Sequence, residues 1–318
     1  MTSILLVKTS SLGDVVHNLP VVTDIARKLP GSTVDWVVEE GFADIPRLHP
    51  AVRNVVAVAV RRWRRELLSP QTWREINAFK HALRDVRYDH VLDTQGLIKS
   101  ALVARLAHGR HCGYAAEAAR EPLAARLYDA TFVIPRNVHA VERNRWLAAA
   151  AFDYPPDAPL DYGIGAPPLA ADWLPAEEYA VLLTATSRDD KLWPDTHWLA
   201  LAGELGSRGL TCVLPGGSDE ERGRARRLCQ NMRRAIAAPP LSVREIAELL
   251  AGARIVVGVD TGLTHLATAL GRPVIAIFSG SSPQLTGVFR DERAINLGQI
   301  GAAPAPEDVI AAVNALLA

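Results

Sequence analysis

The chain has 318 residues, 49% of them hydrophobic and 22% charged, with 35 basic side chains against 35 acidic ones. That length fits two domains, the balance is ordinary for a soluble globular protein, and no strongly basic domain points to nucleic acid. No apolar run reaches the ~18 residues of a membrane span, and three scattered cysteines (Cys112, Cys212, Cys229) exclude a disulfide framework and a paired-cysteine zinc site.

In chain order, strand-like and helix-like segments alternate from end to end. The start, MTSILLVKTSSLGD, enters a strand at 4–8 with no basic leader, so a cytoplasmic compartment is expected. A Ser/Gly turn and a helix over 15–29 follow. Strands are expected at 34–38, 55–60 and 90–93, with helices at 72–87, 97–108 and 138–151. Prolines 155, 156, 159, 167, 168 and 175 then rule out regular helix or central strand and read as a linker. The alternation restarts with strands at 179–184, 211–214, 255–259 and 274–278 and helices at 198–207, 220–231, 243–251 and 307–317. Ser242 and Glu245 form a capping box before the third of these helices.

Strands alternating with helices imply parallel sheets covered on both faces. The pattern therefore predicts an α/β protein of two doubly wound, Rossmann-like domains, residues 1–155 and 156–318. Ligands of such sheets bind beyond the carboxyl ends of the strands, so the loops after strands carry the functional candidates.

Four loops stand out. After the first strand, Lys8-Thr9-Ser10-Ser11-Leu12-Gly13-Asp14 offers small residues for close backbone approach and one carboxylate. Asp14 is read either as a helix N-cap or as a general base. After the strand at 179–184, Thr186 and Ser187 precede Arg188 and Lys191, a phosphate cradle or a charged turn. Gly216-Gly217 with Glu220 and Glu221 could hold a ribose or simply cap a helix. At 256–273, VVGVDTGLTHLATALGRP, a buried run ends in Asp260, Thr261 and Gly262 turn the chain, and a helix carries His265. A helix start of this kind presents unpaired N–H groups and a positive dipole end to a phosphate. No GxGxxG, GxxxxGK[ST], HExxH or GxSxG motif occurs after a strand, and no D-x-D lies in a likely strand-end loop. A fifth feature is the run Arg61-Arg62-Trp63-Arg64-Arg65, the sharpest part of a modest positive excess in the first half; alone it reads as a solvated basic helix start.

Taken together, KTSSLGDVVHNLP at 8–20, DWVVEEGFADIP at 35–46, RRWRR at 61–65, DTQGLIKSAL at 93–102, AREPLA at 119–124, HAVERNR at 139–145, TSRDDKLWP at 186–194 and VDTGLTHLATALGRP at 259–273 resemble the lipopolysaccharide heptosyltransferases of glycosyltransferase family 9. The VEEGF, RRWR and RDDK-x-WP segments resemble the branch that adds the first heptose more than the branch that adds the second. The resemblance implies the GT-B architecture, two Rossmann-like domains facing a central cleft, with an N-terminal acceptor domain and a C-terminal donor domain whose last helix packs back on the first. It implies inverting transfer of L-glycero-D-manno-heptose from ADP-heptose to Kdo of Kdo2-lipid A, with no essential metal and no other cofactor. A nucleotide-sugar 2-epimerase on the same architecture, or a sugar-binding protein without turnover, are the alternatives.

By resemblance Asp14 is the base and Lys191 the lysine that neutralises the departing diphosphate. Thr186, Ser187, Glu221, Asp260, Thr261, Gly262 and His265 match donor-site positions. Ser10, Gly13, Arg61, Arg62, Arg64, Arg65 and Arg120 are expected to meet the polyanionic acceptor. A monomer at the cytoplasmic face of the inner membrane, in peripheral contact with its anionic surface, is the implied setting.

Overall fold

The computed structural model describes residues 2–186, 188–290 and 292–318. The chain divides into two compact units, Met1–Ile164 and Gly165–Ala318. The division expected at 155 falls inside the first unit for a physical reason. Residues beyond it are tied back by Lys28 to Asp157 (2.5 Å), Arg27 to Asp161 (2.5 Å) and Arg145 to the Ala158 carbonyl (2.5 Å).

The first unit holds a six-stranded parallel sheet of β1 (Ser3–Val7), β2 (Thr33–Glu39), β3 (Val52–Val58), β4 (Arg87–Asp93), β5 (His108–Tyr114) and β6 (Ala130–Phe132), in the order β3-β2-β1-β4-β5-β6. The second repeats the plan with β7 (Tyr179–Leu183), β8 (Thr211–Leu214), β9 (Ala235–Ala237), β10 (Ile255–Val259), β11 (Val274–Phe278) and β12 (Ala294–Gly298), in the order β12-β11-β10-β7-β8-β9. Both are doubly wound Rossmann orders. In each, the winding reverses between two central strands, β1 and β4 in the first unit and β7 and β10 in the second, and the crevice outside their carboxyl ends is where such folds take ligands.

The central strands are legible because both faces are covered. Ile4, Leu5, Leu6 and Val7 are wholly buried, as are all five residues of β10 and of β11. Each aliphatic side chain withdrawn from water this way contributes about 1.5–3 kcal/mol. In the second unit Trp193 and Trp198 meet edge to face (4.9 Å between centroids) in a core with Leu182, Leu214, Val257 and Ile277. The terminal helix Pro306–Leu317 adds Val309 and Val313 to that same core and packs against the helix Asp195–Ser207, β11 and β12 of its own unit.

Two local readings change. The helix expected over 15–29 is two, Leu12–Val16 and Leu19–Lys28, because Pro20 lies in the first turn of the second, where its missing N–H is harmless. The helix expected over 97–108 stops at Ala104, and His108–Tyr114 is a strand.

Candidate active site

In the first unit the loops after β1 and β4 are stitched together. The Thr9 N–H and hydroxyl both donate to Gln95 Oε1, each at 2.8 Å. Lys8, only 3% exposed, donates from Nζ to the Thr94 carbonyl (2.9 Å) and reaches Asn144 Oδ1 (3.5 Å). Ser11, not Asp14, is the N-cap of the helix Leu12–Val16, and Asp14 stands at its third position. The Asp14 carboxylate reaches back to the Ser11 N–H (3.0 Å) and hydroxyl (3.2 Å) through Oδ2, while Oδ1 pairs with Arg120 Nη2 (2.7 Å). The N-cap reading of Asp14 therefore fails; as the third residue of the capping box, Asp14 has one oxygen fixed on Ser11 and the other turned to Arg120.

A small pocket of about 20 Å³, room for roughly one water, is lined by Lys8, Asp14, Tyr114, Arg120, Arg143 and Asn144 among others. Three cations therefore surround one carboxylate. Burial opposes ionisation of Asp14, but Lys8, Arg120 and the Ser11 N–H outweigh it and hold the carboxyl well below its ordinary range. Burial lowers Lys8 to about 8; the Asp14 and Asp93 charges pull it back up against the repulsion of Arg120 and Arg143 but do not overcome burial. Arg143 is lowered by burial as well and lies over the Tyr114 ring, 4.9 Å from its centroid. Ser10 accepts from Lys99 Nζ (3.2 Å), and Gly13 lies in the first turn of the Asp14 helix.

In the second unit the corresponding crevice carries Asp260, the residue just after β10. Lys191 Nζ donates to Asp260 Oδ2 (2.6 Å), the Ser281 hydroxyl donates to the same oxygen, and His265 Nε2 lies 3.6 Å from Oδ1. Thr186 Oγ1 donates to the Asp260 carbonyl (3.1 Å), joining the loops after β7 and β10. Burial again opposes ionisation, and His265, Lys191 and Ser281 together hold the Asp260 carboxyl well below its ordinary range. Thr261 is the N-cap of the helix Gly262–Ala269, and Thr264 returns its hydroxyl to the Val259 carbonyl (2.8 Å). Gly258 permits this packing, because a Cβ there would stand 2.3 Å from Thr264 Oγ1. Ser187 lies outside the described residues. Arg188 pairs with Asp190 two residues on, so the local turn holds its guanidinium.

Glu221 is the third residue of the helix Asp219–Cys229 and completes a capping box: Oε2 accepts from the Gly217 (2.7 Å) and Ser218 (3.1 Å) N–H groups, and Ser218 Oγ accepts from Glu221 N (3.1 Å). It lines a pocket of about 320 Å³ with Thr186, Leu192, Arg224 and Arg227. Arg224 braces that wall by donating to the Thr184 (3.0 Å) and Trp193 (3.1 Å) carbonyls.

The arginine run occupies the helical turn Val60–Trp63 after β3 and the residues beyond it. Arg62 is held by Glu40 (3.0 and 2.9 Å) and Glu75 (2.8 Å), and the Trp63 indole donates to Glu75 (2.9 Å). Arg61 lies over the Phe42 ring (5.4 Å), and Arg64 and Arg65 are exposed. The structure thus brings Ser10, Gly13, Asp14 and Arg120 together in the first unit, and Thr186, Lys191, Asp260, Thr261, Gly262 and His265 in the second. Lys8, Arg143 and Ser281 join these groups without having been singled out in the sequence. Lys8 and Ser281 stand in loops just after strands, a signal that position alone could have given, whereas Arg143 sits on a helix.

The model of glycosyltransferase family 9 (heptosyltransferase) matches residues 76–311. Lipopolysaccharide heptosyltransferase 1 of Escherichia coli strain K12 is 47% identical over 288 residues, covering 90% of each chain. Among solved structures, the E. coli heptosyltransferase WaaC with ADP superposes with a TM-score of 0.91 at 41% identity, covering 99% of this chain and 100% of that one. WaaC with ADP-2-deoxy-2-fluoro heptose gives 0.85 at 42% identity, covering 99% of both.

Proposed function

The chain belongs to glycosyltransferase family 9, the heptosyltransferases, and on that premise we propose that it transfers L-glycero-D-manno-heptose from ADP-heptose to a Kdo residue of Kdo2-lipid A, with inversion at the anomeric carbon. The observation that carries this reading is Asp14: an ionised carboxylate, aimed by its own helix cap, at the winding reversal of the first sheet and among three cations. An acidic sugar acceptor needs both halves of that arrangement.

The acceptor hydroxyl attacks the anomeric carbon and its proton passes to Asp14 as the new C–O bond forms. The bond from the anomeric carbon to the diphosphate breaks, and the electron pair leaves with ADP. Lys191 and the N–H groups at the start of the helix Gly262–Ala269 stabilise charge that grows as ADP departs, so they favour the transition state over the ground state. Thr186 and His265 position that junction, and Glu221, whose Oε1 takes no part in the helix cap, accepts from a ribose hydroxyl.

Each reactive group is already paired, Asp14 with Arg120 and Lys191 with Asp260. A carboxylate held far below its ordinary range is a weak base. The acceptor's own anionic groups compete for Arg120, and drawing it away raises the basicity of Asp14 when the substrate arrives. Arg61, Arg64 and Arg65 meet the remaining acceptor phosphates and the anionic surface of the inner membrane from the cytoplasmic side, where the chain acts as a monomer. Lys191 supplies the charge neutralisation that a metal provides in other glycosyl transfers.

The test is a transfer assay with ADP-heptose and Kdo2-lipid A, with and without a chelator. The expected result is one heptose added per acceptor with ADP released, unchanged by the chelator. Conversion of the nucleotide sugar alone, with no transfer, would overturn the reading.

A further inference from the structure

The most exposed large apolar side chain of the first unit is Leu68, 99% accessible, and two more stand beside it, Leu67 at 52% and Trp73 at 51%. Single exposed leucines need no explanation; a clustered set on a built turn does. Backbone bonds from Arg65 to Arg62 (2.9 Å), Glu66 to Trp63 (3.2 Å) and Ser69 to Glu66 (2.9 Å) shape the turn 64–69. The Trp73 indole clasps it by donating to the Leu67 carbonyl (2.8 Å). The apolar tip is therefore held outward by defined contacts.

Its surroundings carry an excess of positive charge. Residues 61–74 contain five arginines and a single acid, Glu66. Arg62 is neutralised by Glu40 and Glu75 from neighbouring elements, and among the described residues no ion pair holds Arg64 or Arg65. Leucine and tryptophan at an outward tip, rimmed by arginine, match the headgroup boundary of an anionic bilayer: apolar atoms enter, the indole sits at the interface, and guanidinium groups meet lipid phosphates.

We propose that the turn 64–69 with Trp73 is a membrane-insertion tip, Leu67 and Leu68 entering an anionic bilayer while Arg64 and Arg65 engage its headgroups. It takes from the heptosyltransferase reading only that the acceptor lies in a membrane. A basic patch alone gives weak, salt-sensitive attraction; the two leucines add a salt-resistant part worth roughly a ten- to hundredfold in partition.

The experiment compares the full chain with the variant L67S/L68S in co-sedimentation with vesicles of equal parts phosphatidylglycerol and phosphatidylcholine, at low and high salt. Heptosyl transfer to a water-soluble, deacylated Kdo2 acceptor is measured in parallel. The wild-type chain is expected to retain part of its binding at high salt, and the variant to bind about ten- to a hundredfold more weakly with soluble transfer unchanged. Equal vesicle binding by the two proteins overturns the proposal. So does a matching loss of soluble transfer, which would place the leucines in the acceptor site. If neither protein transfers heptose but their vesicle binding differs as expected, the insertion tip stands and the transferase reading falls.

Discussion

Both units place a carboxylate–cation pair at the winding reversal of the same fold, but on opposite sides of it, and the proposed mechanism uses its members in opposite ways. In the first, Asp14 and Arg120 meet beside the reversal between β1 and β4; in the second, Asp260 and Lys191 meet beside the reversal between β7 and β10. Asp14 has a surplus of cations around it, Lys8, Arg120 and Arg143. Asp260 has a balanced shell of Lys191, His265 and the Ser281 hydroxyl. The surplus equips the first unit to accept an anionic sugar, with the carboxylate as the reactive member. The balanced shell equips the second to hold one lysine in place for a diphosphate, with the carboxylate as the holder. In the proposed mechanism the crevice at the winding reversal thus carries the base in one unit and the clamp in the other, on carboxylates that follow opposite strands of the reversal, and the charge count around each decides which.

The largest effect should come from removing the reactive member of the first pair. Asp14→Asn keeps the cap geometry and is expected to lower transfer about 10²–10⁴-fold while ADP-heptose affinity, followed by calorimetry, stays near wild type. Turnover close to wild type would break the comparison at its root. Lys191→Met comes next, with kcat lower by about 10²–10³-fold and ADP binding weakened as well. A loss confined to the acceptor KM would mean that Lys191 does not serve the diphosphate.

The comparison was only half legible in the sequence. Central strands β1, β7, β10 and β11 announce themselves because burial on both faces demands unbroken aliphatic runs. Strands β5, β6, β9 and β12 do not. HGRHCGY of β5 has no β-branched residue, and its buried end is His111, Cys112, Gly113 and Tyr114; β6 and β9 have three residues each. Asp14 and Asp260 were readable because both follow strands. Lys8 follows the same strand as Asp14, and only its burial, at 3% exposure, sets it apart from a solvated lysine. Arg143 sits inside a helix, and nothing in the local pattern separates it from a solvated neighbour. Its role comes from packing over Tyr114. The partners of Arg62 were equally hidden, because Glu40 and Glu75 come from two other elements.

A smaller effect tests whether the cationic surplus tunes the first site. Lys8 is lowered to about 8 and Asp14 is held below its ordinary range, and Arg120 contributes to both shifts. The proposed mechanism needs Asp14 ionised, and a protonated Lys8 beside it adds attraction for the acceptor anion, so wild-type kcat/KM is expected to fall on the alkaline side from about pH 8. Arg120→Gln removes a charge that stabilises ionised Asp14 and repels protonated Lys8, so both pKa values rise. Both limbs of the pH profile are then expected to move to higher pH, with the acceptor KM raised about tenfold for the lost charge-assisted bond. Limbs that stay in place would mean that Arg120 only binds and does not tune.

The smallest effect separates cations that a substrate can draw away from those it cannot. Arg120 and Lys191 are each opposed by one carboxylate, so an incoming anion competes on equal terms. Arg62 is held by two, Glu40 and Glu75, whose hydrogen bonds raise its pKa, while Arg62, with Trp63 and Gln71, brings Glu75 down to about 2. An anion would have to displace both glutamates and leave them unpaired, so Arg62 should stay where it is. Arg62→Ala is therefore expected to change the acceptor KM by less than about twofold, the modest effect of an exposed ion pair. Arg64→Ala and Arg65→Ala, which break no such pair, should each raise it about fivefold at low salt, and added salt should erase that difference. A larger penalty for Arg62 than for Arg65 would show that two carboxylates do not lock a guanidinium against this acceptor, and the rule drawn from Asp14 and Asp260 would then need a term for acceptor charge.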